Sequence, residues 1–263
     1  MNMPTVFVSH GAPTMALQPG AAGEALRRLG PRLPRPESIL MVSAHWETQP
    51  ATLSTAERPD TIHDFFGFPE PLYQLRYPVP GAPALAQRAA GLLQQAGIAA
   101  NLDPRRGLDH GAWVPLRYLF PDADVPVTQL SIQPQLSPLH HYRMGEALRP
   151  LTAEGVLIVA SGSLTHNLGE FRMRGEQAPA YVRGFQEWVR DALEKHDLCA
   201  LIDYRTLAPE AVRAHPTDEH LLPLFVALGA AGVGPVHRYT DEVTFGVIAM
   251  DGYVFGERET APA

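Results

Sequence analysis

The chain predicts an α/β fold, a layered single domain with a mostly parallel or mixed central sheet flanked by helices. Three observations carry that expectation. Residues 38–44 (SILMVSA) and 155–161 (GVLIVAS) are short, nearly continuous apolar runs, the pattern of strands buried on both faces. Between such runs lie windows in which apolar residues recur at helical spacing. Strands and helices alternating along one chain are the signature of a layered α/β domain.

Taken in order, residues 5–9 (TVFVS) predict the first strand, which closes on Ser9-His10-Gly11, and a helical period follows over 21–29. The second strand, 38–44, runs into His45-Trp46. Residues 55–83 are rich in proline and aromatics with few helix-compatible windows, so a structured loop is expected there. Residues 82–97 restore the helical period and end on Gly97, a residue suited to a C-cap. A strand over 125–132 precedes a helix from Ser137, because Ser137-Pro138 supplies an N-cap with proline at the first helical position. The third buried strand, 155–161, leads into Gly162-Ser163-Leu164-Thr165-His166-Asn167. Helices are expected over 178–195 and 219–228, and the last strands near 237–239 and 244–250.

Composition narrows the classes. With 263 residues, 45% hydrophobic and 19% charged, the chain has the apolar material for one core, so residues 1–263 are read as one catalytic domain with disorder only in the last few residues. A formal net charge of −7 argues against a nucleic-acid partner, which needs clustered Lys and Arg. The single cysteine, Cys199, permits no intrachain disulfide and no thiolate-rich metal site, so any metal must rest on N and O ligands. No run approaches the roughly 20 apolar residues of a membrane span, and the start has no leader pattern, so a cytoplasmic protein is expected.

Chemistry concentrates in the eleven histidines. In open α/β sheets ligands collect outside the carboxyl ends of the strands, and His10, His45 and His166 all follow predicted strands. Two buried strands ending in Ser-His and Ala-His would bring His10 and His45 together as metal ligands. The segment Ala214-His215-Pro216-Thr217-Asp218-Glu219-His220 offers a third, with His220 preferred over His215 and Glu219 and with Thr217 read as a helix N-cap. His110, between Asp109 and Gly111, suits proton transfer, the bland reading being that Asp109 caps a helix and His110 packs beside it. His166 carries the same choice, with a further option as a fourth ligand. His63, in the aromatic loop, is placed as a substrate contact, and His140, His141, His196 and His237 as structural or solvent-facing. Trp46, Phe65, Phe66, Phe68 and Trp113 are core packing by default, some of them lining a flat apolar pocket. Neither a Gly-x-Ser-x-Gly elbow nor a glycine-rich phosphate loop is present.

Six stretches carry a family resemblance: Ser9-His10-Gly11-Ala12-Pro13; Ser43-Ala44-His45-Trp46; the run from Thr61 through His63-Asp64-Phe65-Phe66-Gly67 to Pro69; Leu108-Asp109-His110-Gly111-Ala112-Trp113; Ser161 through His166-Asn167; and His215-Pro216 through Glu219-His220-Leu221 to Leu224. In that order they resemble the class III extradiol ring-cleaving dioxygenases, most of all the DOPA 4,5-dioxygenase branch. The resemblance implies a non-haem Fe(II) enzyme that takes a catechol and O2 and opens the ring beside its hydroxyls, giving a muconate semialdehyde. Proteins of this branch can also be recovered with zinc. By the same resemblance His10 and His45 match metal ligands, His220 the third ligand position, and His110 and His166 the acid/base positions. In the wider family that third position is commonly a glutamate.

Two other readings use the same residues. A zinc hydrolase would activate water on the same imidazoles. A non-catalytic, metal-binding protein of the Memo type resembles the same fold, so histidines alone do not establish turnover.

Overall fold

The computed structural model describes residues 2–171 and 177–256, so the disorder expected at the C-terminal end falls outside them. Ten strands are formed: β1 (Thr5–Ser9), β2 (Ser38–Glu47), β3 (Ala51–Ser54), β4 (Ala100–Asp103), β5 (Val127–Ile132), β6 (Val156–Gly162), β7 (Val236–Thr240), β8 (Val243–Thr244), β9 (Ile248–Ala249) and β10 (Gly252–Phe255). Eight of them make one sheet in the order β4-β3-β5-β2-β6-β1-β10-β7. Its centre is parallel, since β2 pairs with β5 and β6, and β6 with β1. Antiparallel joins at β3–β5, β1–β10 and β10–β7 make the sheet mixed.

Burial explains which strands the sequence announces. Every residue of β1, β5 and β6 is buried, because helices cover both faces of the parallel centre. On one face the helix Leu222–Ala231 packs on β6 and β1 and against the helix Pro138–Leu148. It is apolar almost all round, as a helix enclosed on every side must be. On the other face the helix His110–Leu119 packs on β2 and on the helix Gly20–Leu29.

The structure departs from the expected elements in three places. The run 244–250 is not one strand: Phe245 and Gly246 both take positive φ, 52° and 73°, and the tight turn divides it into the hairpin of β8 and β9. The four-residue strands β3, β4 and β10 are too short to show a period in sequence, yet β10 sits beside β1 in the main sheet. The helix expected over 219–228 starts later, at Leu222, with Pro223 in its first turn. Among the described residues no helix is long and apolar enough to cross a membrane.

Strand register sets the site. Across the parallel centre Ser9 lies opposite Gly162, and Ser43 opposite Ser161, so the carboxyl ends of β1, β6 and β2 form one contiguous edge.

Candidate active site

His10 leaves β1 with its backbone still attached to the sheet, its amide donating to the Gly162 carbonyl at 3.0 Å. Its Nδ1 stands 2.9 Å from Ser161 Oγ, and that hydroxyl donates onward to the Gly111 carbonyl at 2.5 Å. A hydroxyl has one hydrogen to give, so His10 Nδ1 carries the proton and Nε2 keeps its lone pair. His45 arrives from β2, where the ladder to β5 slips between Val42 and Glu47, a bulge that re-aims the side chains beside it. Its Nε2 lies 2.9 Å from His10 Nε2. Two nitrogens each about 2.0–2.1 Å from one ion, at 90–109° to one another, stand about 2.8–3.4 Å apart.

His220 is delivered by the turn before the helix Leu222–Ala231. That turn lies directly on β6, where Ser163 N donates to the His220 carbonyl at 2.9 Å. A Cβ at Gly162 would stand 2.0 Å from the same carbonyl oxygen, so only glycine allows the approach. The expected N-cap at Thr217 does not form. Asp218 instead ties the turn back to Tyr204 and Arg205, and the helix waits for Pro223. His220 Nδ1 donates to Glu219 Oε1 at 3.0 Å, which leaves Nε2 buried and without a hydrogen-bond partner. The His220 ring stands 5.3 Å from that of His10 and 5.0 Å from that of His45. His166 stacks on it at 3.4 Å, and its own Nδ1 is 3.7 Å from the same Glu219 oxygen.

His110 opens its helix 4.0 Å, ring to ring, from His45. Asp64 holds it twice: Oδ1 accepts from the His110 amide at 2.8 Å and Oδ2 from its Nδ1 at 2.9 Å. Asp64 Oδ2 also lies 3.6 Å from His45 Nδ1. Burial raises the Asp64 carboxyl, but the hydrogen bonds and charge of His110 outweigh it and bring it to about 2. Asp109 is not the helix cap that its position suggests, since its side chain makes no capping bond. It is wholly buried and accepts from Ser43 Oγ at 2.6 Å, Arg106 at 2.7 Å and Gln129 at 2.5 Å.

All five rings, His10, His45, His110, His166 and His220, line one cavity of about 180 Å³ that is closed by Leu168, Phe171, Phe245 and Ile248. Burial, then the neighbouring imidazoles, hold His10 and His220 well below the ordinary histidine value, and burial brings His45 to about 4. These three rings are therefore neutral at pH 7, the form that binds metals. Two sets of ligand atoms fall within 4.8 Å of one another: His10, His45 and His110, and His166, Glu219 and His220.

Other expected contributors lie elsewhere. His63 does not line the cavity. Its Nε2 donates to the Leu75 carbonyl at 3.1 Å and its ring packs among Phe65, Tyr73 and Trp113. His215 is buried against Phe185 and Tyr204, with Nε2 on the Leu164 carbonyl at 2.7 Å. Of the aromatics read as core packing, Trp46 and Trp113 are buried, and none of Trp46, Phe65, Phe66, Phe68 and Trp113 lines the cavity, whose aromatic wall is Phe171 and Phe245, stacked at 4.5 Å. Phe65 serves indirectly, edge-on to His110 at 5.8 Å.

A mixed α/β sheet thus brings neutral histidines able to bind a metal to the carboxyl ends of its parallel strands, the edge where such sheets collect ligands. Residues 4–256 match the family model of the catalytic LigB subunit of aromatic ring-opening dioxygenase, and the chain belongs to that family. It is 44% identical over 232 residues to a 4,5-DOPA dioxygenase extradiol of Beta vulgaris, covering 87% of each chain. To the protein of the same name from Escherichia coli K12 it is 39% identical over 258 residues, 95% of this chain and 93% of the other. The crystal structure of an uncharacterised protein from Escherichia coli K12 superposes with a TM-score of 0.81 at 33% identity, covering 97% of this chain and all of that one. By family the chain is an extradiol, aromatic ring-opening dioxygenase.

Proposed function

We propose that the chain binds one divalent metal through Nε2 of His10, His45 and His220, and opens a DOPA-like catechol with O2 to a muconate semialdehyde. The observation that carries this reading is the buried, unpartnered Nε2 of His220 beside the His10–His45 pair. A buried acceptor left without a partner costs about 1–3 kcal/mol, and an ion shared with His10 and His45 would remove that cost. An ion on His10, His45 and His110 would leave the cost in place, which favours His220 as the third ligand. Neutral imidazoles suit Fe(II), the metal expected for activity, and also Zn(II).

When bound, the metal supplies Lewis acidity toward the catechol oxygens and a route for electrons to O2. The protein's part is binding and proton transfer. Leu168, Phe171 and Phe245 offer apolar surface to a flat ring and keep water away from it. Asp64 fixes the proton of His110 on Nδ1, so Nε2 is free to accept a phenolic proton, and the ionised carboxylate steadies the imidazolium that results. His166, stacked on His220, is the second acid/base group. The 3.7 Å approach of its Nδ1 to Glu219 supports that role over a fourth ligand position. Anaerobic Fe(II) loading followed by a catechol and then oxygen tests the whole reading. A yellow ring-opened product with stoichiometric oxygen uptake is expected, and no uptake with any catechol would overturn it.

A further inference from the structure

Strand β2 loses its ladder partners where it delivers His45. Its register with β6 ends at Ser43 and that with β5 resumes only at Glu47, so His45 stands on a bulge without a registered neighbour. Side chains meet its backbone instead. The His45 amide donates to Ser43 Oγ at 3.2 Å, and the His45 carbonyl accepts from Arg106 Nη2 at 3.3 Å. Both side chains hold the same carboxylate: Ser43 Oγ donates to Asp109 Oδ1 at 2.6 Å, and Arg106 Nη2 donates to Asp109 Oδ2 at 2.7 Å. A guanidinium Nη carries two hydrogens, so Arg106 Nη2 serves His45 and Asp109 at once.

Arg106 itself is firmly placed. Its backbone carbonyl accepts from Ser54 Oγ on β3 at 2.6 Å, and its guanidinium lies 5.0 Å over the ring of Trp46, the residue after His45. Its Nε is buried without a hydrogen-bond partner, which costs stability and which an ion pair left in water would avoid. That burial is explained by the two contacts of Nη2. Asp109 immediately precedes His110, whose ring is 4.0 Å from that of His45, so the cluster joins the bulge to the helix that carries His110.

We propose that Arg106 is a positioning residue for the metal centre, fixing the bulge so that His45 points at the ion, with Ser43 as the second arm of the same device. Arg106 does not line the histidine cavity, so it acts through His45 alone. The proposal rests on the reading of His45 as a metal ligand. Outer contacts of this kind set ligand direction and are worth about 10–100-fold in metal affinity.

Zinc affinity per folded chain, measured by competition with a chromogenic chelator, tests it in Arg106→Lys and Ser43→Ala. Arg106→Lys keeps a cation for Asp109 but loses the planar fork and the reach that let one nitrogen serve both acceptors. Both variants are expected to fold and to bind zinc about 10–100-fold more weakly, with an altered visible spectrum when loaded with cobalt(II). A role confined to stability would lower the urea midpoint of the metal-free protein and leave zinc affinity and the cobalt spectrum unmoved. Undiminished zinc affinity in either folded variant overturns the proposal, and so does failure of both to fold, which would make the cluster part of the core. His45→Ala separates the two readings: if it binds zinc as tightly as the unaltered protein, the ligand reading fails and the proposal with it. Weakened binding there beside undiminished binding in the other variants removes the proposal alone.

Discussion

Asp64 grips His110 at two points, backbone amide and ring Nδ1, across 46 residues of sequence. Glu219 does the same kind of work on the other side of the cavity, lying 3.0 Å from His220 Nδ1 and 3.7 Å from His166 Nδ1. Each carboxylate thus serves one proposed ligand and one proposed acid/base ring, given that Asp64 also approaches His45. Groups that fix the orientation of a ligand or base are typically worth 10–100-fold when removed.

Asp64→Asn is accordingly expected to lower turnover per bound metal by about 10–100-fold, with the fold retained. Turnover measured on metal-loaded protein reads the effect, and a normal rate would mean that His110 needs no orienting partner.

Asp109→Asn should behave differently, although the residue is adjacent to His110. Its carboxylate accepts three hydrogen bonds in a fully buried position, one of them from Arg106. An amide would turn a donor toward those donors and leave the guanidinium unpaired. A loss of about 3 kcal/mol in stability is expected, the scale for breaking a buried pair from one side. Urea unfolding checks this, and an unchanged midpoint would show that the cluster is dispensable.

The contrast between Asp64 and Asp109 shows how far sequence could be read. Strands β1, β2, β5 and β6 were legible because burial on both faces demands continuous apolar runs, and His10 and His45 were legible because they end such strands. The pairing of His110 with Asp64 was not, since the adjacent Asp109 offers the same chemistry and only tertiary folding decides between them. His63 looked suited to a substrate because of its aromatic neighbours, yet those neighbours pack on the ring itself. Phe245 carried no signal at all, as its place depends on a hairpin whose run reads as a single strand.

Buried neutral histidines also make the metal-free protein sensitive to acid. Burial brings His141 down to about 4, against a weaker upward pull from its bond to the Ser137 carbonyl. Its Nδ1 donates to that carbonyl while Nε2 accepts from Gln133 N at 3.2 Å, so a second ring proton would oppose an N–H. Below pH 6.5 the unfolded chain takes up this proton and the folded chain does not. Stability from His141 is therefore full above pH 6.5 and is lost as pH falls toward 4, by roughly 3 kcal/mol at about 1.4 kcal/mol per pKa unit. His141→Gln should flatten the pH dependence of the urea midpoint in that window by one proton. An unaltered slope would place the acid sensitivity on other groups.

The third metal ligand is decided by comparing His220→Ala with His110→Ala, because a site on His10, His45 and His220 and one on His10, His45 and His110 give opposite outcomes. If the ion rests on His10, His45 and His220, then His220→Ala should lose most of its metal on dialysis, as should His10→Ala and His45→Ala, while the fold stays largely intact. His110→Ala should keep its metal and lose turnover by about 10²–10⁴-fold, the range for removing a positioned proton-transfer group. Metal content per folded chain, measured before any assay, separates ligand loss from proton-transfer loss. Retained metal in His220→Ala together with depleted metal in His110→Ala would transfer the ligand role to His110. The proton transfer would then fall to His166 alone, and His166→Ala would have to show the large loss of turnover instead.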